Sequence, residues 1–317
     1  MSSSILTNTS AMNSVSSLAA TQSQLASTQN QISTGLAVSS AADNASYWSI
    51  ATSMRSDVGA LSSVSDSLNL GVSVVSTALQ AVSSSIGVLS QMKNLVVSAQ
   101  TAGQDTSTID TQLQQLQTQL RTFSNSASFN GVNLLTSTSG ATTNTYNVVT
   151  SFSRSVAGQT STDSVGLTDI SLTQALYSSN ADQGATNYTG AGILDKVNTS
   201  TGYSIDNLIT SSVTASGSDT TTTTLLTDEQ NQIEAAISSL TTAAGILGST
   251  QSNLTAQGTF TQTLSNSLTS GVGSLVDADM NQASTRLNAL QTQQQLGIQS
   301  LSIANQNSQM ILKLFGL

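Results

Sequence analysis

Apolar residues recur at helical spacing from the start of the chain. Their positions step by alternating fours and threes, which predicts an amphipathic helix with one seam. The seam runs through Ala11, Val15, Leu18, Gln22, Leu25, Gln29, Ile32 and Leu36. Gln occupies two of its positions, so the seam is weak as an isolated coiled coil. The pattern then breaks through the stretch GLAVSSAADNASYWS.

A longer helix is predicted after this break. Its apolar positions repeat at strict intervals of seven, namely Leu61, Leu68, Val75, Val82, Leu89 and Val96. An adjacent stripe contains Val58, Val72, Leu79 and Ile86. Such a helix has roughly forty residues and spans about 60 Å. It is expected to end near TAGQD, with Gly103 as its cap. A shorter helix with Leu113, Leu116, Leu120 and Phe123 on one side follows.

The last third of the chain has the same kind of pattern. The three-four alternation continues from Ile233 to Leu275 for six heptads and slips by one residue near Asp277. It then resumes through Met280, Ala283, Leu287, Leu290, Gln294, Gly297, Leu301, Ala304, Ser308, Ile311 and Phe315. These residues predict two further helices.

Helical periodicity is lost between Phe129 and Thr224. There, Val, Thr, Tyr and Ile alternate with polar residues, as in TYNVVTSF and VGLTDISL, which predicts strands. The stretch GSDTTTTT is interpreted as a flexible connection. The predicted fold is mainly α, with long antiparallel helices from both termini forming coiled-coil inner layers, a β-rich hairpin region and a small variable portion mid-chain.

The two ends of the chain are almost free of charge. No charged residue occurs in residues 1–42, and Lys313 is the only one in residues 288–317. Helices whose outer faces avoid charge are suited to burial on two sides, against each other and against further copies. We therefore expect the ends to become ordered on assembly. The predicted assembly seams are Val15, Leu18, Leu25, Ile32, Leu36, Leu287, Leu290, Leu301, Ile311 and Phe315.

Composition excludes several classes of function. The 317 residues contain no Cys, His or Pro. Disulfides, His/Cys metal sites and a Ser-His-Asp triad are therefore excluded, and no catalytic residue, metal or cofactor is predicted. The net charge of −9 argues against nucleic acid and anionic membranes as partners. The start lacks the features of a conventional signal peptide, and no apolar run is long enough to span a bilayer.

Four motifs in order resemble bacterial flagellin: ISTGLAVSSAADNASYWSIA, SFNGVNLL at residues 128–135, VDADM at residues 276–280 and the closing SIANQNSQMILKLFGL. The resemblance identifies Phe129, Asn130 and Gly131 as a turn motif after the second core helix. In the first motif, the basic residues of the family are replaced by Ala37 and Ala42.

The first motif also departs from the family at an aromatic pair. Tyr47 and Trp48 stand where the family has Gly-Leu, and Asn44 replaces its second Asp. We expect the two rings to be buried anchors of the segment that links the outer and inner helices.

The resemblance implies a subunit that is exported unfolded and polymerises into the extracellular filament of the bacterial flagellum. Implied partners are other copies of the chain, an export chaperone and the export apparatus, and the hook-associated junction and cap proteins. The predicted layers are residues 1–45 with 276–317 (inner coiled coil), 46–172 with 226–275 (helical core with a β-hairpin) and 173–225 (variable, outward-facing).

Two alternatives remain open at this point. A junction protein of the same export class, joining hook to filament, shares the terminal helices. The middle region is alternatively an adhesin or hydrolase displayed on the filament, although the H-E-x-x-H motif of a metallopeptidase requires His. Asp277 and Asp279 are interpreted as carboxylates at a helix start rather than as a metal or acid/base pair.

Overall fold

The computed structural model describes residues 8–101, 105–137, 145–154, 164–171, 175–178, 192–194, 205 and 219–314. Within them lie five helices: α1 (Thr9–Thr34), α2 (Ala45–Ala99), α3 (Thr106–Ser126), α4 (Asp219–Val276) and α5 (Met280–Leu314). The strands are β1 (Ser128–Phe129), β2 (Val132–Asn133), β3 (Thr136–Ser137), β4 (Thr145–Ser153), β5 (Ser164–Ser171) and β6 (Tyr177–Ser178). The predicted mainly α fold is confirmed.

The chain forms two compact units. Unit 1 comprises Met1–Gly59 with Ser265–Leu317, and unit 2 comprises Ala60–Leu264. The predicted layer limits fall at other positions, at residues 45/46 and 275/276. Because the units reflect contacts within one chain and the layers reflect packing between chains, the layer limits stay a prediction.

The core of unit 2 contains the strict seven-residue repeat of α2. Each of its six aliphatic members is at most 4% exposed. Helix α4 runs antiparallel to α2 in this unit, since Gln100 Nε2 donates to Gln230 Oε1 at 3.2 Å and Lys93 forms a 3.3 Å ion pair with Glu234. Burial of this repeat contributes to the hydrophobic stabilisation of unit 2.

Helix α2 starts earlier than its periodicity predicts. It has 55 residues and already includes Tyr47 and Trp48, which were assigned to the break. Asn44 Oδ1 accepts hydrogen bonds from the amides of Ser46 at 3.1 Å and Tyr47 at 3.2 Å, and thereby caps the first turn. Periodicity did not detect this turn because a side-chain cap, and not an aliphatic stripe, defines it.

By length and composition α2 could cross a membrane. The expectation that no apolar run is long enough is therefore wrong on that criterion. Its apolar repeat is nevertheless buried inside unit 2, as in the core helix of a soluble protein.

The prediction of a flexible connection at GSDTTTTT is also wrong for the residues that the structure describes, since Asp219–Thr224 forms the first part of α4. Extending an existing helix costs far less than starting one, so a Thr run can continue the helix of the apolar sequence that follows it. Gly103, the predicted cap of α2, lies outside the described residues.

The turn motif forms a two-residue hairpin loop. Asn130 and Gly131 have φ of 52° and 81°, and β1 pairs with β2 in antiparallel register through Phe129 and Val132. Positive φ at both central positions is what a type I′ turn requires, which explains Asn-Gly at this place. Asn133 Nδ2 donates to the carbonyl of Ser124 at 2.7 Å and ties the hairpin to the end of α3.

The two predicted strands TYNVVTSF and VGLTDISL pair as β4 and β5. Their register is antiparallel, with an irregularity between Val149 and Ser151. Val148 is fully buried against α2, and the Val149 amide donates to Ser67 Oγ at 3.1 Å. The hairpin is therefore part of the core of unit 2.

The described parts of the predicted variable portion pack into the same core. Leu176, Leu194 and Ile205 are fully buried. The Leu176 amide donates to Leu135 O at 2.8 Å, and Gln117 Nε2 donates to Ile205 O at 3.1 Å. These residues therefore belong to unit 2, and the outward-facing layer stays a prediction.

Close approach of β4 to α2 requires glycine at position 71. A Cβ there would lie 2.8 Å from Val148 Cγ2, whereas a Cβ at Gly87 of the same helix would meet nothing within 4 Å. We expect Gly71→Ala to lower the free energy of unfolding by about 1–3 kcal/mol through overpacking. Gly87→Ala should instead raise it by about 0.5–1 kcal/mol through helix propensity. Urea unfolding followed by circular dichroism measures both, and equal effects would contradict the tight contact.

Candidate assembly site

The two ends of the chain pair with each other in unit 1. Asn8 Nδ2 donates to Ala304 O at 3.0 Å, and the hydroxyl oxygens of Ser14 and Ser300 are 3.5 Å apart. A Cβ on Gly297 would lie 3.3 Å from Leu18 Cδ1. Because residue numbers rise along α1 while they fall along α5, the two helices are antiparallel.

The seam of α5 is oriented largely as the sequence suggests. Leu290 is buried, and Leu287, Gln294, Gly297 and Leu301 are half-buried. Met280, the first position of that series, is exposed. The side chain of Ile311 and the whole of Phe315 lie outside the described residues. Whether these positions act in assembly stays a prediction.

In the predicted seam of α1, only one of the two alternating sets of positions is covered. Leu18, Leu25 and Ile32 are half-buried, but Val15, Gln22 and Gln29 are exposed. The residues one position earlier, Ser14, Thr21 and Thr28, are covered instead: Ser14 and Thr21 are half-buried and Thr28 is buried. Val15, at 51% exposure, is therefore not buried by the pairing of α1 with α5, and its role in assembly stays a prediction. Leu36 lies beyond the end of α1, whose C-cap is Gly35.

Hydroxyl residues can line this seam because their polar atoms are already satisfied. Ser14, Thr21 and Thr28 each donate to the carbonyl four residues earlier, at 2.9 to 3.0 Å. Such back-bonding leaves no orphan hydroxyl when the side chain is covered. Hydropathy alone ranks Val15 above Ser14, which explains why the sequence pattern missed these residues.

Large apolar side chains remain exposed on the paired helices in unit 1. They are Met12, Val15, Leu296, Ile298 and Ile303, each between 51% and 64% exposed, and together they are called the outer apolar face below. No charged residue occurs on α1, and Arg286 is the only one among the α5 side chains that the structure describes. The outer apolar face is therefore set in neutral surroundings, which is typical of an interface core.

Two interruptions of the helices are joined by backbone hydrogen bonds. After α1, Gly35 has φ of 73°, and Leu36 bridges Asp277 in the gap between α4 and α5. The Ala37 amide donates to Val276 O at 2.7 Å, and the Ala278 amide donates to Gly35 O at 2.9 Å. We call this set of bonds the backbone clamp. A small cluster beneath it contains Val38, Ala51, Val272 and Val276.

Asp43 organises the link between α1 and α2. Its Oδ2 accepts from the amides and the hydroxyls of both Ser39 and Ser40, at 2.9 to 3.1 Å. These bonds, chiefly that of the Ser40 amide, hold the pKa of Asp43 below its ordinary value of 3.8. The carboxylate acts here as a local structural acceptor.

The aromatic pair lies on the first turns of α2. Tyr47 is 47% exposed and Trp48 38% exposed, and Ile50 beside them is also exposed. The expectation that both rings are buried is therefore wrong for the single chain, because only Ala51 of this segment turns toward the small cluster. Their role as anchors between layers stays a prediction.

Acidic residues do not cluster in the described part of the chain. Within it, no group of three or more Asp or Glu is placed to hold a metal ion. Asp279 Oδ1 accepts from the amides of Asn281 at 2.9 Å and Gln282 at 3.2 Å, as a helix N-cap does.

Paired terminal helices, a neutral apolar outer face and a separate helical and β-hairpin unit define a protein built for association through its ends. Family models match this chain at both ends: the bacterial flagellin N-terminal helical region over residues 5–139 and the C-terminal helical region over residues 230–315. The chain therefore belongs to the bacterial flagellin family, whose members are structural subunits of the flagellar filament.

Curated relatives agree with this assignment over the full length. The chain is 40% identical to Flagellin C of Rhizobium meliloti, with 98% of this chain and 99% of the relative covered. It is 41% identical to a flagellin of Brucella melitensis biotype 1 and 36% identical to Flagellin A of Rhizobium meliloti, at the same coverage.

The hydrogen bonds of Asp43 predict a pH dependence. Because its folded pKa lies below its unfolded value, the ionised carboxylate stabilises the α1–α2 link above pH ~3.8, and this stabilisation is lost as the pH falls through the folded pKa. Carboxyl NMR titration should give a pKa below 3.8 that rises in Ser39→Ala/Ser40→Ala. Asp105→Ala, which removes the cap of α3, should leave the Asp43 pKa unchanged. An Asp43 pKa at or above the ordinary value would contradict the geometry.

Proposed function

We propose that the chain polymerises into the extracellular flagellar filament through its outer apolar face, with no catalytic activity of its own. The supporting observation is the exposure of Met12, Val15, Leu296, Ile298 and Ile303 on helices with almost no charge. A concentration of exposed large apolar side chains on two paired helices marks an interaction site. Other copies of the chain, which carry the same surface, are the partners.

The size of this face indicates how assembly is stabilised. Full burial of a large apolar side chain contributes about 1.5–3 kcal/mol, so five side chains that are half-exposed contribute about 1 kcal/mol each. Association costs about 4–15 kcal/mol, so the outer apolar face alone is only marginal. Further exposed apolar residues, Tyr47, Trp48, Ile50 and Met280, add surface for contacts with more than one neighbour.

The other partners follow from family membership. An export chaperone, the export apparatus, and the junction and cap proteins are proposed as transient or terminal contacts. The relatives that match over the full chain carry the name flagellin, which favours a filament subunit over a junction protein. Long polymers formed by the purified chain alone would separate these two functions.

Burial of the outer apolar face can be tested at Ile303. The side chain is 60% exposed in the single chain, so Ile303→Asp should leave the helical circular dichroism unchanged. In the polymer it would bury an unpaired carboxylate at a cost of several kcal/mol. We expect the amount of sedimentable filament to fall about a hundredfold or more, whereas Ile303→Met should assemble like the parent chain. Normal filaments from Ile303→Asp in electron micrographs would rule out burial at this position.

Order on assembly can be tested by limited proteolysis. We expect the first and last forty residues to be cut rapidly in the soluble subunit and to resist cleavage in the polymer, because the pairing of α1 with α5 is weak without neighbours. Cleavage sites are assigned by mass spectrometry, with sites in unit 2 as the internal control. Equal protection of both ends before and after polymerisation would refute the proposal.

A further inference from the structure

We propose that Arg286 of one copy forms an ion pair with Asp277 of a neighbouring copy and so fixes the register between adjacent subunits. This inference rests on the proposed polymerisation. It concerns a polar contact that the outer apolar face does not supply, since apolar surfaces alone permit sliding between neighbouring helices.

Arg286 is the lone cation among the side chains of α1 and α5 that the structure describes. It is exposed on α5, and it forms no hydrogen bond or ion pair with any residue that the structure describes. No charged residue on α1 is available to it, because α1 has none. If the faces around it become covered by neighbouring copies, the guanidinium needs a carboxylate partner, since an unpaired buried charge is strongly unfavourable.

Asp277 is the complementary anion. It follows directly after α4, where the helix dipole places negative charge, so a carboxylate is disfavoured there. A Cβ on Gly273 would lie 2.7 Å from Asp277 Oδ2, which shows that the carboxylate folds back over the last turn of α4. Within the described residues, its oxygens accept no hydrogen bond. A cation from outside the chain would relieve this arrangement.

The other carboxylates near the helix breaks already have partners. Asp43 accepts four hydrogen bonds in the α1–α2 link, and Asp279 caps α5. In a head-to-tail polymer, a group on one copy meets a different group on the next copy. Asp277 and Arg286 both lie in unit 1 with the outer apolar face, and both lack a partner in the described part of the chain.

Arg55 is the competing cation. It is exposed on α2 and likewise has no partner among the described residues. It lies on α2, whereas Arg286 lies on α5 among the helices that carry the outer apolar face. We therefore assign the contact to Arg286 and use Arg55 as the matched control.

Charge reversal tests this assignment. We expect Arg286→Glu and Asp277→Arg each to raise the critical concentration for polymerisation about tenfold or more, as loss of a paired interfacial charge does. The double variant Arg286→Glu/Asp277→Arg should return it to within about threefold of the parent value. Polymer is measured by sedimentation and by the emission of Trp48, the single tryptophan of the chain. Circular dichroism of the soluble variants controls for folding, since both side chains are exposed.

Each outcome is decisive. Rescue by the double variant supports the pair, whereas normal assembly of Arg286→Glu, or single defects without rescue, overturns it and leaves polymerisation through the apolar face intact. Rescue of Asp277→Arg by Arg55→Glu instead of Arg286→Glu would reassign the contact and overturn the inference. Failure of the parent chain to polymerise at all would overturn the proposed function itself.

Discussion

The structure of unit 1 depends on the backbone clamp, in which residues after α1 bond to residues between α4 and α5. Gly35 and Ala37 exchange hydrogen bonds with Ala278 and Val276, and main-chain bonds of this kind do not vary with side-chain identity. The clamp therefore fixes the end of α1 beside the start of α5, and from this point the two helices lie alongside each other. The contact of Asn8 with Ala304 at the far end is consistent with one fixed register over the length of α1.

Neutral polar residues allow the terminal helices to have two covered faces. A Lys or Glu on the outer side would have to be paired or left in water, but Ser, Thr and Gln can be covered at moderate cost. Thr28 shows how this works, since its hydroxyl bonds within its own helix and is only 2% exposed. Near absence of charge is thus what helices require if they are to serve both an intrachain pairing and the proposed contacts between copies.

Sequence reasoning succeeded where aliphatic residues alone define the core and failed where other forces do. The strict repeat of α2 predicted Leu68, Val75 and Leu89 as buried, because no polar residue competes at those positions. On α1, a seam that steps by four and then three fits the apolar positions as well as one that steps by three and then four. Val15 was chosen over Ser14 because the sequence does not show that a hydroxyl is bonded within its own helix. Exposure of Trp48 was missed because the described part of this chain does not cover the ring, whereas the sequence indicates only that the ring is apolar.

The two units differ in how much of their core a single chain can supply. Among the described residues, thirty-one hydrophobic residues are buried in the cluster of unit 2, whereas the cluster beneath the backbone clamp contains four. Gly297 and the hydroxyl positions of α1 bring the terminal helices close but bury little apolar area, so their pairing gains little free energy. Unit 2 can therefore fold within the single chain, whereas unit 1 would gain most of its stabilisation from neighbours in the proposed polymer. In the proposed assembly, this division keeps the ends weakly held until the subunit reaches its position in the polymer.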